Sequence, residues 1–176
     1  MAPNIEVVYA YDYAKRLYQG DPEKIADAWQ DLITYGGIFE TVLEHALEPV
    51  LRVMPQVTGY DWPLENPNLP VYLVMTGENF PAPLTLVASA DTEQMLYDFI
   101  LMLARVNIKT GFISDLERDQ ILQNVAQTVI ELAGLDLKDV MAEADLRLRE
   151  KFGADYQHSS LDLQAKSLKD YFAKAK

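Results

Sequence analysis

"NIEVVYAYDYAKRLYQGD", residues 4–21, is the stretch on which the fold turns. Its β-branched start, "IEVV", reads as a strand, whereas Ile5, Tyr9, Tyr13 and Leu17 recur at the i, i+4 spacing of a helix. The helical reading is preferred, because "DYAKRLYQG" continues the pattern and ends at a glycine suited to a helix C-terminus. A strand here would offer a partner to any later β segment. A helix leaves such segments to pair among themselves.

Working outward, Asp21-Pro22 supplies an N-cap and a first-turn proline, and Ile25, Trp29, Leu32 and Ile33 mark the inner face of a second helix. Gly36-Gly37 is expected to stop it. A third helix follows in "IFETVLEHALEPVLRVM", with Phe39, Val42, Leu43, Ala46, Val50 and Met54 inward and Pro49 expected to kink or divide it. From Pro55 to Pro83 the chain holds six of its nine prolines, which excludes a regular helix. Within that stretch "VYLVM" (71–75) and "PLTLVA" (83–88) read as two short strands, joined as a β-hairpin over about residues 71–88.

After Ser89 the sequence is helical again. Asp91 with Gln94, and Ser114 with Glu117, open helices with capping-box patterns, and Gly134 closes the second of them. Asp136 is expected to cap the next helix, "LKDVMAEADLRLREKF". A last Lys-rich helix over 160–174 makes 153–176 the most loosely docked part. The fold class expected is mainly α: one domain, 1–176, a bundle of six or seven helices with one inserted β-hairpin.

Composition bounds the chemistry. A chain of 176 residues, nearly half of them hydrophobic, buries roughly two-thirds of its unfolded surface around one core. There are no cysteines and two histidines, His45 and His158, so thiolate nucleophiles, disulfides and Cys/His zinc cages are excluded. No stretch approaches the roughly 20 apolar residues of a membrane span. The expectation is a cytoplasmic protein with no membrane partner. Residues 1–100 carry four basic side chains against fifteen acidic ones, a net of −11, whereas residues 101–176 carry eleven against twelve. An anionic half repels phosphate backbones, which argues against nucleic acid in a basic groove and points to a basic protein partner.

Three groups of residues are candidates for function. Glu40, Glu44 and Glu48 line up at i, i+4, i+8 beside His45, and such a carboxylate stripe suits magnesium; the commoner reading is a solvated or ion-paired stripe. Asp98 sits on a narrow polar strip of a helix apolar nearly all round, so it needs a partner or a function. Tyr60, Trp62 and Tyr72, among prolines and acids, are aromatics in an irregular segment and suit an interface; the plainer reading has Trp62 and Leu64 as a lid on the core. A serine nucleophile at Ser159-Ser160 beside His158 has poor context.

The helix-break-helix "LAGLDLKDVMAEADLRLREKF", with "ERDQILQNV" before it, resembles the tail of the all-α nucleotide pyrophosphohydrolases of the MazG type. The resemblance implies magnesium held by E-x-x-E and E-x-x-D motifs on consecutive helices and bridging a triphosphate. Neither motif falls at the required places: Glu117 and Asp119 are followed by Ile121 and Leu122. No site residue carries over.

The leading expectation is therefore a non-enzymatic protein-interaction module of the immunity, inhibitor, chaperone or phage-accessory type, needing no cofactor and presenting its acidic surface to a basic protein. The alternatives are a magnesium-dependent nucleotide pyrophosphohydrolase using Glu40, Glu44 and Asp98, with Glu48 as a further metal ligand, and an architectural homodimer.

Overall fold

The computed structural model describes residues 2–62, 67–109, 111–112, 114–156 and 161–174. Among them are six α-helices and a small mixed sheet of four strands, packed against α1, α2 and α3. Strand β1 (Asn4–Val8) leads into helix α1 (Tyr11–Leu17), and a 3-10 turn at Pro22–Lys24 opens the long helix α2 (Ile25–Thr58). Strands β2 (Asn68–Val74), β3 (Phe80–Pro81) and β4 (Leu84–Val87) follow, then α3 (Thr92–Asn107), α4 (Asp115–Leu132), α5 (Lys138–Phe152) and α6 (Leu168–Lys174).

The deciding stretch is thus both things in turn. Residues 4–8 form a strand and the helix starts at Tyr11, which corrects the all-helical reading of residues 5–20. The i, i+4 series was shared between two elements, while the β-branched run "IEVV" carried the local preference. The hairpin is corrected as well. β2 and β4 do pair, but in parallel, with Tyr72 opposite Thr85. The antiparallel partner of β4 is the two-residue β3, folded back on its outer side. β1 pairs in parallel with β2, giving the order β1-β2-β4-β3.

One helix replaces the two that Gly36-Gly37 was expected to separate. The buried residues Leu32, Gly36, Phe39, Leu43, Ala46, Val50, Val53 and Val57 fall at alternating steps of four and three, so one inward stripe runs in phase through the glycines and through Pro49. Ile33, read as inward, lies 40% exposed off that stripe. Gly36 is a contact rather than a break: a β-carbon there would lie 2.6 Å from the Tyr9 ring and 2.7 Å from Leu73, whereas at Gly37 nothing lies within 4 Å. Pro49 and Pro55 each remove a backbone donor, a cost of about 3 kcal/mol in an isolated helix that the buried stripe offsets. The helix ends at Gly59, whose φ of 74° is the left-handed conformation glycine tolerates.

The face of the sheet bearing Leu73 packs on α2 at Gly36. Opposite faces alternate along a strand, so Tyr72 and Thr85 look the other way, where α1 covers them: Tyr13 stacks on Tyr72 at 5.1 Å and its hydroxyl meets Thr85 Oγ1 at 2.9 Å. α3 is central as its apolar circumference implied, touching α2, α4, α5 and the β3/β4 edge, with Phe39 and Phe99 edge-to-face at 5.9 Å.

Of the local signals at the other helix ends three hold and two fail; Gly20 does not close α1, whose C-cap is Tyr18. Asp91 accepts from the Gln94 amide and Ser114 from the Glu117 amide. Gly134 donates to Glu131 O while Leu135 donates to Ile130 O, a Schellman closure. Asp136 does not cap α5; Leu137 occupies that position without a side-chain bond, and Asp136 meets Lys138 in solvent instead. The C-terminal segment is anchored by two buried leucines, Leu163 and the fully enclosed Leu168. Its helix begins at Leu168 rather than at 160.

Candidate functional site

A groove of about 1070 Å³ runs between β1 and the middle of α2. Ile5 and Val7 form its strand side, Leu43, Leu47 and Leu51 its helix side, and Trp62 closes one end. Among the described residues, Glu6, Glu40, Glu44, Glu48 and Asp61 line it, against one cation, Arg52. The predicted glutamate stripe is therefore one wall of an apolar-floored, acid-rimmed trough. Its like charges are relieved locally. The Tyr9 hydroxyl donates to Glu40 Oε2 at 2.6 Å, and Arg52 stands 4.0 Å from Glu48. Burial first, and the bond to Glu40 second, push the Tyr9 hydroxyl far above the ordinary phenol range, which keeps it a donor.

Asp98 lies elsewhere, in a cavity of about 230 Å³ between α3, α4 and α5. Its oxygens accept from Gln94 Nε2 at 2.7 Å and Asn79 Nδ2 at 3.0 Å, while Arg147 donates to Gln94 Oε1 at 2.5 Å and the Val87 amide to Asn79 Oδ1 at 2.8 Å. The partner that Asp98 needs is thus an amide clamp, with Arg147 one bond removed. Burial raises the carboxyl above its ordinary value against the opposing pull of Gln94, Asn79 and Arg147. The clamp ties α5 through α3 to the sheet.

Glu40, Glu44 and Glu48 on one side and Asp98 on the other are not brought together, because they line different concavities. Among the described residues no group of three or more Asp, Glu or His side chains could hold a metal ion. The three aromatics are dispersed too. Trp62 is 4% exposed and donates its ring N–H to Leu51 O at 3.0 Å, a lid on α2. Tyr60 accepts through its carbonyl from Asn107 and sits under Lys169, and Tyr72 belongs to the sheet face under α1. Leu64, His158, Ser159 and Ser160 lie outside the described residues.

α5 carries two acid–base pairs at i, i+4 spacing. Arg147 pairs with Glu143 at 3.7 Å and Arg149 with Asp145 at 2.8 Å; Asp145 is half-buried and also accepts from the Tyr156 hydroxyl, while the other three are exposed. Asp119 on α4 is gripped by Arg118 and by Lys151 of α5, each at 2.8 Å.

What sequence reasoning missed is the strand half of the groove, Ile5, Glu6 and Val7. The available signal was the run "IEVV". No helix among the described residues is long and apolar enough to cross a membrane. Comparison with family models, curated proteins and solved structures finds no match. The resemblance of residues 117–152 to pyrophosphohydrolase tails draws no support from it.

Proposed function

We propose that this chain is a protein-interaction module whose β1/α2 groove receives a basic segment of another protein. The observation that carries the reading is the groove's composition: among its described lining residues, Glu40, Glu44, Glu48 and Asp61, with Glu6 at the strand, stand against Arg52 around an apolar floor. Such a trough matches long cationic side chains, whose methylene stems pack on leucine while their heads reach the acids. A second copy of the chain is a poor occupant. It would bring the same acids face to face, at a cost that grows as water is excluded.

The test compares two triple charge reversals of equal net change. One is Glu40→Lys/Glu44→Lys/Glu48→Lys in the groove. The other is Asp139→Lys/Glu150→Lys/Asp155→Lys at exposed positions outside it. A partner from the source cell that cross-links to groove residues is expected to be lost by the first variant and kept by the second. Equal retention by both refutes the reading.

A further inference from the structure

β1 is an edge strand, and its open side borders the groove. The Asn4 amide donates to Pro67 O at 2.6 Å, on the β2 side. In-plane directions alternate along a strand, so Asn4, Glu6 and Val8 address β2 while the N–H and C=O groups of Ile5 and Val7 address the open edge. These are the same residues whose side chains form the strand wall of the groove. The edge carries no proline, lysine or bulge within Asn4–Val8, the usual devices that blunt an edge.

We infer that the occupant binds as an added β-strand on β1, an extended segment with Lys or Arg at alternate positions. This rests on the groove reading above and specifies how the groove is filled. The spacing supports it. Successive glutamates of the stripe rise about 6 Å along the helix axis, four residues at 1.5 Å, and every second residue of a strand advances about 6.7 Å. Inward side chains at every second residue of the added strand therefore repeat at close to the spacing of the glutamates. Their stems cross the Leu43/Leu47/Leu51 ridge. Main-chain bonds to Ile5 and Val7 hold the segment, and the acids select its side chains. The partner residues that bond to Ile5 and Val7 cannot be proline.

The probe is a capped eight-residue peptide alternating arginine with threonine. It is made with N-methyl groups on either the arginine or the threonine amides, because only one of these two sets faces β1. One methylated series should lose at least tenfold in affinity and the other stay within threefold, by fluorescence anisotropy. Hydrogen exchange at the Ile5 and Val7 amides should slow at least tenfold on saturation. Equal binding by both series, or unchanged exchange at Ile5 and Val7, overturns strand addition. If binding is then still lost in the Glu40→Lys/Glu44→Lys/Glu48→Lys variant, the acidic groove stands and only the binding mode falls. Binding that survives in that variant sinks both. The milder Glu40→Gln/Glu44→Gln/Glu48→Gln protein repeats the comparison should the reversal not fold by circular dichroism. Protection of Ile5 and Val7 that rises with protein concentration and needs no peptide assigns the edge to a second copy and overturns the proposal.

Discussion

Replacing Gly36 by alanine separates the two readings of the glycine pair. In an unencumbered helix, glycine to alanine stabilises by up to about 1 kcal/mol, since alanine is the better helix former. At Gly37, where an added β-carbon meets nothing within 4 Å, Gly37→Ala should show that full gain. At Gly36 the methyl lands 2.6 Å from the Tyr9 ring and 2.7 Å from Leu73 Cδ1. Leu73 is fully buried and has nowhere to go, so overpacking of about 1–3 kcal/mol opposes the same gain. Two adjacent, chemically identical substitutions should therefore differ by about 1–3 kcal/mol in urea melts. Each kcal/mol corresponds to about 2–4 °C in Tm for a chain of this size. The Gly36→Ala deficit should also shrink in a Tyr9→Ala background, because one of the two obstructing side chains is gone. If both glycine variants shift stability equally, α2 does not press on the sheet at Gly36. If Gly37→Ala destabilises, the helix is not continuous there.

The pH profiles of two aspartates should have opposite signs. Burial raises Asp98, so the folded chain binds its proton more tightly than the unfolded one; the stability that wild type draws from this carboxyl, relative to Asp98→Asn, falls as pH rises above about 4. Burial also works against the charge of Asp119, but the bonds from Lys151 and Arg118 outweigh it and lower the carboxyl, so its contribution relative to Asp119→Asn is present at neutral pH and lost as pH falls below about 4. Paired melts between pH 3 and 8 check both, and parallel profiles would contradict them. Leu168→Ala, emptying a fully enclosed site, should cost about 2–5 kcal/mol and expose the C-terminal segment to protease. A change within a few tenths of a kcal/mol would mean that the segment is not docked.

The features legible from sequence were those decided within one turn of chain. The caps at Asp91 and Ser114 and the Gly134 closure follow from neighbouring residues, and they formed as their spacing required. The features that escaped were settled across the chain. Gly36 reads as a breaker until Tyr9 and Leu73 are known to lie against it, although the four-three rhythm from Leu32 to Val57 already crossed it unbroken. The direction of β2 against β4 was hidden because β3, only two residues long, leaves almost no pattern in sequence. The glutamate stripe was visible as a stripe, but its opposite wall was not, since Ile5 and Val7 had been assigned to a helix. Likewise Tyr60, Trp62 and Tyr72 share a composition without sharing a place.

The parallel pairing of β1 with β2 also sets an order of events during synthesis. Asn4 waits for Asn68, and every residue between them must be made first. At about 5–20 residues per second, that interval is roughly 3–13 s, during which β1 lacks its one sheet neighbour and both its edges are bare. β1 is thus the strand of this sheet that stands longest without its partner, since β2 and β4 are made in close succession.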